Sequence, residues 1–287
     1  MVKLERSDLR LGGQGWTESD WTGVFYPRGL KAGERLGCYA GAFDFVEVDS
    51  TFYAIPPEGR VRGWRDSTPA GFRFAAKVPQ TITHDPDPAT GQPRQPLAGA
   101  GWPDHLAQFV ETMRLLEDKL LALVVQLPPQ WHWRPERLPV LAEFLAALPA
   151  DLRWAVEFRH QGWLNDEVFA LLRQHQAAFV IQDLYYMPRH VEVTTPELAY
   201  IRLQGRRKDI VRMDAVQIDR DEALDEWADT IRELTAKRVK NIVVAVNNHY
   251  QGHSPGTVAA LQRRLGLPVA APPVTAPAQL PLGGIAP

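Results

Sequence analysis

Short apolar runs recur along this chain with helical patterns set between them, and that rhythm limits the folds open to it. The runs are Leu9–Trp16, Asp44–Tyr53, Phe72–Pro79, Leu121–Pro128, Arg153–His160, Ala177–Asp183, Ala199–Gly205 and Asn241–His249. Several are almost continuously apolar, such as Leu121-Ala122-Leu123-Val124-Val125 and Ile242-Val243-Val244-Ala245-Val246. Such runs suit strands covered on both faces, as in a parallel sheet. Apolar residues at helical spacing mark Trp102–Glu117, Pro135–Leu148, Asp166–Gln174 and Arg220–Thr235. Ser254–Leu265 opens on Ser254 as N-cap with Pro255 at the first helical position, a strong start signal. Weaker helical patterns cover Leu30–Ala40 and Pro57–Ser67, and Leu184–Glu197 carries none. Eight strands alternating with helices over about 260 residues predict an α/β chain folded as a (β/α)8 TIM barrel, with helices outside. The alternative is an open doubly wound sheet, which usually carries a Gly-rich turn between its first strand and helix. Here Gly12-Gly13-Gln14-Gly15 falls inside or at the end of the first strand, and Trp16 follows.

The barrel is assigned to residues 9–267, after an extension over residues 1–8. Residues 268–287 are rich in Pro, Ala and Gly and are expected to be disordered. The stretch His84–Pro103 is predicted to be a long loop, of the kind that forms lids or binding loops. With 45% hydrophobic and 23% charged residues, disorder of the whole 287-residue chain is excluded. A net charge of -2 gives no global basic signature for nucleic acid, and a local patch stays open. One cysteine, Cys38, rules out a disulfide within the chain and a zinc site of several thiolates. Met1–Arg10 lacks the apolar segment of a secretory signal, and no run of about 18 apolar residues suggests a membrane span. A soluble, cytoplasmic protein of open oligomeric state, with no membrane partner, is expected.

Barrel active sites lie where the strands end. Polar residues collect at those ends: Glu47, Asp49, Ser50 and Tyr53 on the second strand, Lys77 on the third, Gln126 on the fourth. Glu157, Arg159 and His160 follow on the fifth, Gln182 and Asp183 on the sixth, Arg202 and Gln204 on the seventh, and Asn247, Asn248 and His249 on the eighth. Period-two spacing puts Glu47 with Asp49, Glu157 with Arg159, Arg202 with Gln204, and Asn247 with His249 on shared faces. Buried unpaired charge is costly, so this ring either satisfies itself as a salt-bridge network or serves a ligand.

The same residues carry a family resemblance. Val46-Glu47-Val48-Asp49-Ser50-Thr51-Phe52-Tyr53 resembles a V-E-x-N-S-T-F-Y signature, and Phe72–Pro79 resembles F-x-F-x-x-K-x-P. Glu157-Phe158-Arg159-His160 with Trp163 resembles E-F-R-H-x-S-W, and Asn247-Asn248-His249 with Gly252 resembles N-N-H-x-x-G. Gly15-Trp16, Trp21 and Phe25-Tyr26-Pro27 match an opening G-W…W…F-Y-P. Over roughly Leu9 to Leu265 the chain is thus similar to the domain-of-unknown-function family 72, the YecE-like proteins. The resemblance implies a TIM barrel and no particular reaction. Two positions depart from the pattern: Asp49 stands where Asn is common, and Gln204 replaces the His of Y-x-R-x-H-G.

The expected function is that of an enzyme, or a former one, acting on a phosphorylated or carboxylated ligand at the mouth by acid–base chemistry. Glu47, Asp49, Lys77, Glu157 and His249 are the candidate catalytic groups. Arg159, His160, Asp183, Arg202, Gln204, Arg206, Asn247 and Asn248 are candidate ligand contacts, with Tyr53, Trp16 and Trp163 as stacking or loop-closing aromatics. Lys77 could form a Schiff base if buried. An anion site is also expected where Arg206-Arg207-Lys208 meets the turn Gly252-His253-Ser254-Pro255 at a helix N-terminus. No cofactor is expected. The alternatives are a divalent-metal phosphodiesterase acting on nucleic acid, by loose analogy to endonuclease IV and xylose isomerase barrels, and a non-catalytic ligand-binding module. Gln126 and Gln204 stand where a barrel glycosidase would carry its glutamates, which counts against glycoside hydrolysis.

Overall fold

The computed structural model describes residues 7–275. The extension over residues 1–6 and the tail over 276–287 lie outside the described residues. Eight strands, β1 (Asp8–Gln14), β2 (Phe45–Val48), β3 (Arg73–Lys77), β4 (Leu120–Gln126), β5 (Trp154–Glu157), β6 (Ala178–Asp183), β7 (Leu198–Leu203) and β8 (Asn241–Val246), close into a barrel in chain order. Every pairing is parallel, and β1 closes on β8 in a six-residue register from Asp8 with Asn241 to Gly13 with Val246. The helices are α1 (Arg35–Ala40), α2 (Glu58–Asp66), α3 (Gln80–Thr83), α4 (Trp102–Arg114), α5 (Leu138–Ala146), α6 (Asp166–Gln174), α7 (Asp221–Ala236) and α8 (Ser254–Leu265). The eight expected strands are all present, each shorter at its C-terminal end than the apolar run except β6. Glu47, Lys77, Gln126, Glu157 and Arg202 stay in the ladder near its C-terminal end, and Asp49, Arg159 and Gln204 lie just beyond it.

Alternation along each strand divides the core in two. One set, including Phe45, Ala75, Val124, Ala155, Val180, Tyr200 and Ala245, fills the barrel interior. The other, including Val46, Leu123, Phe179, Ile181, Leu203 and Val244, packs against the helices. Small Ala75, Ala155 and Ala245 share the interior with large Phe45 and Tyr200, so the barrel is filled rather than open. Gly12 is required by the same packing: a Cβ there would stand 2.0 Å from the Phe45 carbonyl oxygen.

One expectation about the outer shell needs correction. The N-cap of α8 is His253, not Ser254: its Nδ1 accepts from the Gly256 N–H at 3.1 Å, with Pro255 one position further into the helix than expected. Beyond α8, the Val274 N–H donates to the Phe25 carbonyl at 3.0 Å. The 84–103 loop has the expected length. It folds on itself through the Arg94–Asp85 ion pair and an isolated bridge between Pro86 and Pro93. No helix among the described residues is long and apolar enough to cross a membrane.

Candidate functional site

The inward-facing polar residues converge at the C-terminal end of the barrel, and Arg202 is their hub. Its Nη2 donates to Glu47 Oε1 at 2.6 Å, and its Nη1 donates to Glu157 Oε2 and, at 3.3 Å, to Gln126 Oε1. Glu47 accepts a second bond, from the Tyr200 hydroxyl at 2.7 Å. Arg159 donates from Nε to Glu157 Oε1 and from Nη2 to Gln126 and Gln204, each at 3.0 Å. Gln204 returns a bond to Glu157 at 3.4 Å. Gln204 therefore bridges an ion pair and holds no titratable proton. The two buried glutamates differ. Burial lifts Glu47 above the usual carboxylate value, and Arg202 does not overcome it. Burial also opposes ionisation of Glu157, yet Arg159, Arg202 and Lys77 together hold it below that value. Arg202 keeps its charge well above the ordinary guanidinium value, because Glu157, Glu47 and Asp49 outweigh its desolvation.

Lys77 sits beside this network without joining it. Its Nζ lies 3.6 Å from Asp49 Oδ1 and 4.0 Å from the centre of the Phe52 ring, and it makes no hydrogen bond among the described residues. Asp49 Oδ1 is itself buried without a hydrogen-bond partner. Burial, reinforced by Arg202, pushes the Lys77 ammonium below its ordinary value despite Asp49. The local backbone is firmly set: the Thr51 hydroxyl donates to the Val48 carbonyl at 2.9 Å and to the Lys77 carbonyl at 2.8 Å, tying the ends of β2 and β3 together.

His84 is a member of the mouth that the sequence did not single out. Its ring meets the Phe52 ring edge-on at 5.0 Å, and its Nδ1 is 2.9 Å from the Thr83 hydroxyl. Burial, with Lys77 and Arg159 nearby, lowers its pKa to about 4. The imidazole is thus neutral at pH 7. The only local cue was its position directly after α3, which sequence periodicity does not reveal in a four-residue helix.

Several expected contacts lie elsewhere. Asp183 points outward, accepting from Trp227 Nε1 on α7 at 2.9 Å and from the Tyr250 hydroxyl at 2.8 Å. Trp163 is buried in a stack with Trp131 and Phe158 and donates to the Trp131 carbonyl at 2.6 Å. His160 caps the turn after β5 and stacks on His132 at 4.3 Å. Trp16 packs edge-on against Trp64, in a cleft of about 500 Å³ that also meets Ser50 and Arg60. Tyr53 is 71% exposed on the rim. Arg206 lies over the exposed Tyr185 ring at 4.9 Å, also on the rim. The expected anion site at the start of α8 is closed: Ser254 N–H donates to Asn248 Oδ1, Gly256 N–H to His253, and Thr257 N–H to the His253 carbonyl. Asn247 joins Gln14 at 2.9 Å and accepts from the His249 N–H. His249 faces Arg207 and Glu18 rather than the Arg202 hub, and burial holds it below its ordinary value. Gly205 lets β7 pass this turn, since a Cβ there would lie 1.6 Å from the His249 carbonyl oxygen. Among the described residues, no cluster of three or more His, Cys, Asp or Glu is placed to hold a metal ion.

The two depressed histidines set an acid limit on stability. His84 and His253 each fall from 6.5 to about 4 on folding, so the unfolded chain binds more protons between those values. Their contribution is fully present above pH 6.5 and is lost as pH falls through about 4. Urea unfolding measured from pH 7.5 to 5 is expected to show falling stability, with a shallower slope in His84→Asn and again in His253→Asn. An unchanged slope in both variants would count against neutral buried imidazoles.

Comparison with known proteins agrees with this architecture. Residues 10–281 match the family described as "Protein of unknown function DUF72". The chain is 31% identical over 197 residues to the UPF0759 protein YecE of Escherichia coli K12, a match covering 67% of this chain and 66% of YecE. It is 24% identical over 265 residues to the UPF0759 protein YunF of Bacillus subtilis 168, covering 85% and 90% of the two chains. Among solved structures, a DUF72 family protein of Enterococcus faecalis V583 superposes with a TM-score of 0.74 at 23% identity, over 95% of this chain and 99% of that one. One from Thermotoga maritima MSB8 gives 0.71 at 26% identity, over 89% and 97%. The ordered motifs, the closed parallel barrel and the match along most of its length together make this chain a member of the DUF72 family.

Proposed function

We propose that the barrel mouth binds a small phosphorylated or carboxylated ligand on Lys77 and Arg159 and carries out acid–base chemistry beside it with Asp49 and His84. One contrast carries this reading. Lys77 and Lys119 are equally buried, at 7% and 8% exposed. Lys119 donates to the Arg65 carbonyl at 2.6 Å, the Thr68 carbonyl at 2.7 Å and the Thr68 hydroxyl at 3.1 Å. Among the described residues Lys77 donates to nothing. A largely buried ammonium with no protein acceptor leaves its donors to water or to an acceptor that arrives from outside. Arg159 adds to this, because its Nη1 has no hydrogen-bond partner among the described residues while Nε and Nη2 are anchored.

The metal-dependent alternative is less well supported, because Arg202 stands between Glu47 and Glu157 and uses both carboxylates. The anion reading is tested by calorimetry with inorganic phosphate, small phosphate monoesters and small carboxylates. Lys77→Met should weaken binding by roughly 10- to 150-fold, the equivalent of about 1.5–3 kcal/mol for one charged hydrogen bond. Equal affinity in the wild type and the variant would sink the assignment. Turnover of a bound ester or acid separates an enzyme from a binding module.

A further inference from the structure

We propose that Lys77 is a carbonyl-reactive amine, and that the ligand of this mouth is an aldehyde or ketone carrying a carboxylate or phosphate, which Lys77 Nζ captures as an imine. The inference rests on the anion reading above and deepens it by naming the group next to the anion.

Imine chemistry asks four things of a lysine: an unblocked Nζ, a nearby proton acceptor, a fixed stem, and a cation beside it to hold the substrate's charge. Lys77 meets each. Its Nζ is not consumed by hydrogen bonds, unlike that of Lys119. The Asp49 carboxylate stands at 3.6 Å, too far to bind the ammonium in a hydrogen bond and near enough to take its proton with a small side-chain movement. The buried Asp49 Oδ1 makes no hydrogen bond, with Arg202 Nη2 at 3.7 Å as its other neighbouring cation, so the proton has an open place to go. The Phe52 ring at 4.0 Å covers one side of Nζ and keeps that side dry. The Thr51 bond to the Lys77 carbonyl fixes the backbone from which the stem leaves. The free Nη1 edge of Arg159 supplies the charge for the substrate's anion. The charged groups that act on Nζ are Asp49 and Glu47 on the β2 side, Glu157 from β5 and Arg202 from β7, while Arg159 acts together with Lys77 on Glu157 and His84. His84, neutral, packs against the same Phe52 ring.

The step balances without an added reagent. The ammonium passes one proton to Asp49, and the freed electron pair on Nζ forms a bond to the carbonyl carbon. The carbonyl oxygen takes up one of the two protons left on the now cationic Nζ, giving the neutral carbinolamine. The C–O bond then breaks, with Asp49 returning its proton so that the hydroxyl leaves as water. The net change is ammonium plus carbonyl to iminium plus water, with nothing oxidised or reduced.

The test uses the full chain with glyoxylate or glycolaldehyde phosphate and sodium cyanoborohydride as trap, reading modified lysines by peptide mass spectrometry. Lys77 should be labelled at least about tenfold faster than the exposed Lys31, Lys208, Lys237 and Lys240, since a suppressed amine pKa leaves more free base at neutral pH. Lys119 serves as the buried, hydrogen-bonded reference within the same molecule. Saturating inorganic phosphate should slow Lys77 labelling alone. Asp49→Asn should slow it at least tenfold, and Lys77→Arg should abolish it. Labelling of Lys77 no faster than the surface lysines, with phosphate binding intact, would overturn the imine and leave the anion site standing. Fast labelling indifferent to phosphate would overturn the anionic substrate class. Loss of both labelling and phosphate binding in the wild type would sink both readings. Because the comparison is among lysines of one wild-type chain, it holds even if a variant fails to fold.

Discussion

Arg202→Met is expected to lose about 3–5 kcal/mol of stability at pH 7, the range for breaking a buried ion pair from one side. The guanidinium is buried and holds Glu47 and Glu157, two carboxylates with no exposed surface, from opposite sides of the barrel interior. Methionine fills much of the same volume, so the loss would come from charge and not from a cavity. With Arg202 gone, Glu47 keeps only the Tyr200 hydroxyl, whereas Glu157 retains Arg159 and Gln204. Both glutamates would then favour protonation more strongly in the folded chain. Their folded values would rise, and a carboxyl with a raised folded value contributes stability that is present at low pH and lost as pH rises through that value. The gap between variant and wild type should therefore shrink as pH falls from 7 to 5. Urea unfolding at these pH values is the measurement. A variant within 1 kcal/mol of wild type at pH 7 would mean that the hub adds little stability, as happens where a well-packed hydrophobe replaces a buried ionic group.

The hub was legible in the sequence because strand periodicity is strict. Glu47, Glu157, Arg159, Arg202 and Gln204 all carry the parity of interior residues, and all five meet in the barrel mouth. The same rule, applied one residue further, places Asp183 outside. Val180 faces inward, so Gln182 does too and Asp183 cannot. Its strand-end position alone suggested the mouth. The error at α8 has a different origin. Ser-Pro is a good helix start, but the histidine before it reaches the Gly256 N–H equally well, and Asn248 from the preceding turn reaches Ser254. Those side chains occupy donors that a bare helix N-terminus would offer an anion. Trp163 and His160 belong to a short turn whose aromatic stacking depends on Trp131 and His132, about thirty residues earlier, and local pattern carries no such information. His84 was missed because its ring partner Phe52 comes from the turn after β2, more than thirty residues earlier, and no local spacing links it to Lys77 at the end of β3.

Glu157→Gln should destabilise the protein by about 3 kcal/mol at pH 7, while Glu47→Gln should cost less than about 1 kcal/mol. The two residues look equivalent: each is a glutamate with no exposed surface, at the end of a strand, bonded to Arg202. Their electrostatics differ in sign. Glu157 faces three cations, Arg159, Arg202 and Lys77, and its folded pKa lies below the ordinary 4.5. Its charge therefore stabilises the fold above pH 4.5, and that contribution is lost only as pH falls through the lower folded value. Removing the charge strands Arg159 and Arg202 facing one another across a neutral amide. Glu47 has one guanidinium and a nearby like charge, Asp49, and burial raises its folded pKa above 4.5. Its ionisation costs stability at neutral pH, and a glutamine oxygen can still accept from Tyr200 and Arg202. Urea melts at pH 7 and pH 4 separate the pair: the deficit of Glu157→Gln should narrow toward pH 4, and Glu47→Gln should gain on wild type as pH rises. Equal losses at pH 7 would mean that the two carboxylates share the Arg202 charge evenly.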